Sequence, residues 1–145
     1  MFRFNDENIL KIQELKKRYP DANALNLPCL WMVQYQEGYI SLDAIDEISK
    51  IIDMPSMEIY RVATFYTMFH LEPQDKLLVD VCKTLSCKLC GGDEILKHLE
   101  KNEDIKVRHV ECLGSCGTAP VMQINDIYYE ELSTKRVDEI LEGLI

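Results

Sequence analysis

The chain has 145 residues, 47% of them hydrophobic, enough to bury one core, or a small helical unit beside a second small domain, without disulfide staples. Its formal net charge of -9 excludes the Lys- and Arg-rich phosphate-binding surface of a nucleic-acid binder. The longest apolar run, around Leu30 to Val33, is far short of the roughly 20 residues that cross a bilayer, so no direct membrane insertion is expected and any membrane association goes through a partner.

The first 20 residues carry charges every few positions and read as neither a signal nor a transit peptide, so the mature protein is expected to start at Met1. Asn5 or Asp6 caps a predicted first helix with Ile9, Ile12 and Leu15 at helical spacing, and Pro20 stops it. A second runs from about Leu27 through Trp31 and Tyr35 to Gly38. Ser41 caps a third, with the stripe Leu42, Ile45, Ile48 and Ile52, and Pro55 ends it. Ser56 caps a fourth through Ile59, Val62, Ala63 and Tyr66. Residues 1–72 are therefore expected to form a four-helix region.

Glu72-Pro73-Gln74-Asp75 marks the boundary, because the apolar run Leu77 to Val81 suits a buried strand. A cysteine-rich loop, a helix from about Gly92 to Lys101 and a strand from about Ile105 to Val110 complete a βαβ unit. A second cysteine loop leads to Pro120 to Ile124, a turn at Asn125-Asp126 and a strand from Ile127 to Glu130, which together form a hairpin. Ser133 caps a last helix carrying Val137, Ile140, Leu141 and Leu144. The fold class is thus α+β, with residues 76–145 in the βαβ-then-ββα order of a thioredoxin-like domain.

The parallel strands of a βαβ unit release the chain at the same sheet edge, so both cysteine loops lie there. Cys82 and Cys87 follow the first strand, and Cys112 and Cys116 the second. Four thiolates in one place repel one another and raise their pKa values, a cost that coordination to iron or zinc removes. Gly91, Gly92, Gly114 and Gly117 suit loops that bring backbone N–H groups close to sulfur. Six cysteines without an export signal belong to a reducing compartment, where such clusters bind metal or carry redox chemistry.

Spacing alone divides evenly between an iron-sulfur cluster and a structural zinc site. A Rieske centre needs two histidines on one iron, and neither His98 nor His109 falls in a cysteine loop. A rival is the dithiol pair Cys87 and Cys90 of a thioredoxin-type oxidoreductase, which would leave Cys82, Cys112 and Cys116 as additional thiols beside a reactive pair. Cys90 is otherwise a bystander able to substitute as a ligand, and Cys29 a core residue.

The segments VCKTLSCKLCGGDEIL and VECLGSCGTAPVMQIND, with CLWMVQYQEGYIS and IIDMPSMEIYRVATFYTMF in the first half, resemble the small 2Fe-2S subunit of the NADH-oxidising module of respiratory complex I. The resemblance implies a four-helix region followed by a thioredoxin-like 2Fe-2S ferredoxin domain, with one cluster on the positions matching Cys82, Cys87, Cys112 and Cys116. It breaks the tie between zinc and iron. It further implies an electron-transfer subunit that is not catalytic alone, beside a larger flavoprotein holding NADH and FMN and further iron-sulfur subunits. The location implied is cytoplasmic, peripheral to the inner membrane through the complex. Soluble NAD-linked hydrogenases and formate dehydrogenases use related subunits, which keeps a second assembly open. Thr64, Phe65, Tyr66 and Phe69 are divided between a core stripe and an interface with the flavoprotein. The segment Asn102 to His109 is shorter than is usual in that family.

Overall fold

Local capping signals set the helices of the first half in a computed structural model that describes residues 1–144. Helix α1 (Asp6–Arg18) starts where the Asn5 side chain accepts the Asn8 N–H at 2.8 Å. Asp6 and Glu7 fill its first turn and Lys16, Lys17 and Arg18 its last, matching the helix dipole at both ends. Tyr19 is extended, as suits a residue before proline.

A single 3-10 turn over Ala22–Leu25, not anticipated from sequence, leads directly into α2 (Asn26–Glu37), which ends at Gly38 with φ of 81°. Helix α3 (Leu42–Ile52) is capped by Ser41, whose hydroxyl accepts the Ala44 N–H at 3.2 Å. Helix α4 (Ser56–Phe65) differs from expectation in its cap. Pro55 occupies the cap position, and the Ser56 hydroxyl instead donates to Asp46 at 2.7 Å, tying α4 to α3. Ile12, Leu30, Ile45, Ile48, Ile59 and Ala63 fill the core between these helices. The Gln34 side chain then draws the segment after α4 back, accepting the His70 N–H at 2.7 Å and donating to the Met68 carbonyl at 2.9 Å. Phe69 is thereby buried edge-on to Trp31, with ring centroids 5.2 Å apart, whereas Phe65 is 76% exposed and Thr64 and Tyr66 also reach solvent.

The chain divides into two units, Met1–Gln74 and a second beginning at Asp75. The second contains β1 (Leu77–Cys82), α5 (Leu85–Leu89), α6 (Gly92–Leu99), β2 (Ile105–Val110), β3 (Met122–Ile124), β4 (Ile127–Tyr129) and α7 (Thr134–Glu142). Among the described residues there are therefore seven α-helices and one four-stranded sheet of order β2-β1-β3-β4. Strands β1 and β2 are parallel, from Leu77 opposite Ile105 to Cys82 opposite Val110, while β3 runs antiparallel to both β1 and β4. Asp80 and Arg108 face each other in that register and form a two-pronged ion pair, 2.7 Å at each contact. Val79 and Val81 of β1 and Met122 and Ile124 of β3 meet Ile95 and Leu99 of α6 and Val137 and Leu141 of α7 in the core. The apolar stripe of α7 stops short of Leu144, which lies beyond the helix and is 47% exposed.

Helix α5 is a second element that the sequence did not announce, since residues 85–89 carry only five helical positions, too few for periodicity to register. Its geometry depends on the start of α6. A Cβ built on Gly92 would lie 2.7 Å from the Cys87 carbonyl oxygen and 3.0 Å from its carbonyl carbon, so backbone rather than a movable side chain fills that space. We expect Gly92→Ala to lower the urea midpoint of the protein by an amount equivalent to roughly 1–3 kcal/mol, as overpacking against fixed atoms does. The Ser133 hydroxyl, which accepts the Arg136 N–H at 3.3 Å to cap α7, is expected to contribute about 1 kcal/mol. Ser133→Ala should accordingly lower the midpoint, and Ser133→Asp should restore it, in the same denaturation experiment.

Candidate metal centre

Parallel strands deliver both cysteine loops to one place. Cys82 is the last residue of β1, and Cys112 follows the end of β2 after Glu111. Cys87 comes from α5, and Cys116 opens a 3-10 turn over Cys116–Thr118. The Cys112 and Cys116 sulfurs are 3.5 Å apart, and Cys82 and Cys87 lie within hydrogen-bond reach of each other. The pairs also sense one another, since Cys82 perturbs Cys112 and Cys116, and Cys116 perturbs Cys87. Sequence distance is thus erased by topology.

One side of the group is dry and the other wet. Cys82 and Cys87 are buried with Val121, flanked by Leu113 and Ala119, while Cys112 and Cys116 are exposed. The Ala119–Pro120 peptide, in the stretch that leads to β3, is cis.

Backbone N–H groups and hydroxyls converge on the sulfurs. The Gly114 N–H donates to Cys112 at 3.4 Å, and the Thr84 hydroxyl lies 3.2 Å from Cys82 and also reaches Cys112. The amides of Thr84 and Leu113 point at Cys82, the amide of Val121 at Cys87, and the Ser86 hydroxyl at Cys116. Gly91 and Gly114, with φ of 96° and 84°, supply the left-handed turns that these loops need. Gly92 serves through its close approach to Cys87, and Gly117 has open space around it.

The electrostatics follow from this arrangement. Burial resists ionisation of Cys82, but the hydroxyl and amide of Thr84, the Leu113 amide and Cys87 outweigh it and hold the thiol below its ordinary value. Its neighbour Cys87 is pushed up to about 11, by burial first and then by Cys82. Cys112 is drawn down by the Gly114 amide, by Cys116 and by Thr84, while Cys116 is pushed up by Cys112 beside it. Each pair therefore gives up one proton readily and the second only against a neighbouring negative charge. Coordination of a cation by both sulfurs removes that opposition.

The thiols are disposed as two pairs rather than around one centre. Among the described residues no group of three or more His, Cys, Asp or Glu is placed so that it could hold a metal ion.

The remaining cysteines stand apart in environment. Cys90 is exposed at the C-terminal end of α5, and its N–H donates to the Ser86 carbonyl at 3.0 Å. Cys29 is fully buried in the helical unit, where burial pushes its thiol up to about 11. His98 lies in hydrogen-bond contact with Asp138 at 2.6 Å and His109 with Glu100 at 3.1 Å, both away from the cysteine loops. The donors Thr84 and Ser86 were not singled out from sequence. Their position one or two residues from a cysteine in a loop was the available signal, and that spacing is too common to be specific.

Comparison with known proteins gives a consistent result. Residues 12–145 match the family of thioredoxin-like 2Fe-2S ferredoxins. The E subunit of the NADH-quinone oxidoreductase of Rickettsia bellii is 36% identical, covering 99% of this chain and 94% of that protein. Its counterpart in Rickettsia prowazekii is 38% identical over 97% of this chain and 88% of its own length, and the E 2 subunit of Rhizobium meliloti 35% identical over 92% and 86%. Among solved structures, a chain of the NAD+-reducing NiFe-hydrogenase is similar in fold, with a TM-score of 0.58 in the air-oxidised state and 0.65 in the H2-reduced state at 22% and 21% identity. Those matches cover 69% and 79% of this chain but only 19% and 21% of the hydrogenase chains, so this chain spans about a fifth of their length. No helix among the described residues is long and apolar enough to cross a membrane. With the family pattern matched over nearly its whole length and the paired thiols at the sheet edge, the chain belongs to the thioredoxin-like 2Fe-2S ferredoxin family.

Proposed function

We propose that this chain is the electron-transfer subunit of an NADH:quinone oxidoreductase, holding one 2Fe-2S cluster on Cys82, Cys87, Cys112 and Cys116 and exchanging single electrons with the FMN of a partner flavoprotein that oxidises NADH. The observation that carries the proposal is the meeting of two thiol pairs from separate loops, with N–H and O–H donors aimed at their sulfurs. A 2Fe-2S cluster, when bound, takes up and releases one electron.

The chain's own residues do the rest. Cys82 and Cys87 would hold one iron against the apolar floor of Val121, and Cys112 and Cys116 the other at the surface. The amides of Thr84, Leu113, Gly114 and Val121, with the Thr84 and Ser86 hydroxyls, offset the negative charge on the sulfurs and thereby set the reduction potential. Because two ligands are exposed, the centre is open to a partner protein at one side. Leu85 and Leu89, four residues apart on α5 and 73% and 77% exposed, offer that partner apolar surface beside Cys87. No acid, base or nucleotide site is needed on this chain, since cofactors carry the chemistry and the protein supplies position and electrostatics. FMN, NADH and the further iron-sulfur subunits belong to the partners, and the assembly would be attached to the inner membrane from the cytoplasmic side. The names of the relatives favour the quinone-reducing assembly, and the fold shared with an NAD+-reducing hydrogenase keeps the corresponding hydrogenase component as the second reading.

Anaerobically purified chain is expected to contain two iron and two acid-labile sulfide per molecule, and to give a spin-half paramagnetic resonance signal after dithionite reduction. A colourless protein with one zinc would reject the proposal. Cys112→Ser should lose the cluster and Cys90→Ser should keep it; the reverse pattern would replace Cys87 or Cys112 in the ligand set. Alone the chain should not oxidise NADH, and pull-down from its native cells should recover a flavoprotein containing FMN. Recovery with a nickel-containing partner instead would select the hydrogenase reading.

A further inference from the structure

The turn that carries Cys116 is fastened from outside the cysteine loops. Glu130, directly after β4, accepts hydrogen bonds through one carboxylate oxygen from the Ser115 hydroxyl and, at 2.7 Å, from the Thr118 hydroxyl. Those hydroxyls are 3.0 Å from each other, and Thr118 donates its N–H to the Ser115 carbonyl at 3.2 Å, with its hydroxyl oxygen also 3.2 Å from that carbonyl. The backbone adds the Glu131 N–H on the Thr118 carbonyl at 2.7 Å and the Leu132 N–H on the Pro120 carbonyl at 3.2 Å. Residues 115 to 118 are therefore closed into a small loop whose centre is one carboxylate. Cys116 is the second residue of that loop, and its sulfur is the one 3.5 Å from Cys112.

We propose that Glu130 is a positioning residue for the metal centre: its carboxylate clamps the Ser115–Thr118 turn so that Cys116 stays opposite Cys112, and its fixed negative charge lowers the reduction potential of the cluster. This role rests on the four-cysteine cluster proposed above. Ser115 and then Thr118, with a smaller contribution from Arg136, hold the Glu130 carboxyl below its ordinary range, so the group is an anion at neutral pH. An anion close to a cluster ligand opposes the arrival of an electron, and a clamp on that ligand limits how far the turn relaxes when the cluster charge changes. Among charged side chains it is distinguished by acting through two hydroxyls within the ligand loop itself.

The test compares Glu130→Gln, which keeps an oxygen acceptor but removes the charge, with Glu130→Ala, which removes both, and with Glu131→Gln, which removes the adjacent charge without touching the clamp. Midpoint potentials would be read by paramagnetic resonance on the full reconstituted chain, and amide exchange at Thr118 on the cluster-free chain. Both Glu130 variants should move the potential in the positive direction relative to wild type, and Glu131→Gln should move it less. Exchange at Thr118 should be roughly tenfold faster in Glu130→Ala, as loss of a charge-assisted hydrogen bond implies, with a smaller change in Glu130→Gln. Unchanged potentials in both Glu130 variants, an equal shift from Glu131→Gln, or unaltered exchange in Glu130→Ala would each overturn the proposal. If the wild-type chain takes up no cluster, the electron-carrier function fails, and the exchange measurement on cluster-free protein still decides the clamp: unaltered exchange overturns it, accelerated exchange upholds its mechanical half.

Discussion

Parallel pairing of β1 with β2 is the constraint on which the gathering of Cys82, Cys87, Cys112 and Cys116 depends. A crossover through α5 and α6 returns the chain to the same side of the sheet, so residue 82 and the segment after residue 110 leave it together. Shared register then makes the coincidence specific, with Cys82 paired to Val110, two residues before Cys112. The Asp80–Arg108 ion pair and the apolar contacts of Val79 and Val81 hold that register, because a slip of one residue would turn every buried side chain of β1 to the opposite face.

The second demand on the fold is electrostatic. Sulfurs held this closely cannot all ionise unless something positive lies among them, and the opposed shifts within each pair express that directly. The protein responds with partial charges fixed in the backbone. Positive-φ glycines at 91 and 114 let the chain turn tightly enough for N–H groups to face inward, and the Gly92 contact sets the turn that carries Cys87. A long cationic side chain would supply more charge but less fixed geometry, and the lysines beside these cysteines in sequence are engaged elsewhere, Lys83 with Glu111 and Lys88 with Asp93.

The helical unit shows how side chains refine what periodicity begins. The stripes of α1, α3 and α4 are local patterns that bury Ile12, Ile45, Ile48, Ile52, Ile59 and Ala63, whereas Ile9, Leu42 and Tyr66, at the ends of those stripes, stay exposed. The segment after α4 has no pattern of its own. Gln34 captures it through two backbone hydrogen bonds, and this separates Phe69, which is buried, from Phe65, which is not. Spacing alone gave these two aromatics the same standing, because the chain leaves helical geometry at Tyr66 and their faces diverge there.

The sequence by itself determined the order of the longer helices and of the strands, the caps at Ser41 and Ser133, and the grouping of cysteines by loop, because each of these is encoded within a few adjacent residues, and it narrowed the cap of α1 to Asn5 or Asp6, of which the structure uses Asn5. It left iron and zinc equal until the wider motif was considered, since ligand spacing constrains the loop and not the number of metal atoms. Only the tertiary structure decided that the thiols stand in two pairs, that one pair is buried and the other exposed, that Thr84 and Ser86 reach their sulfurs, and that Glu130 bonds the hydroxyls on either side of Cys116. Those facts depend on contacts between residues far apart in sequence, such as Val121 over Cys87 and Leu113 over Cys82, which no local pattern records. The same limit hid α5 and moved the cap of α4 to Pro55, where Ser56 found a better partner in Asp46 than in its own helix.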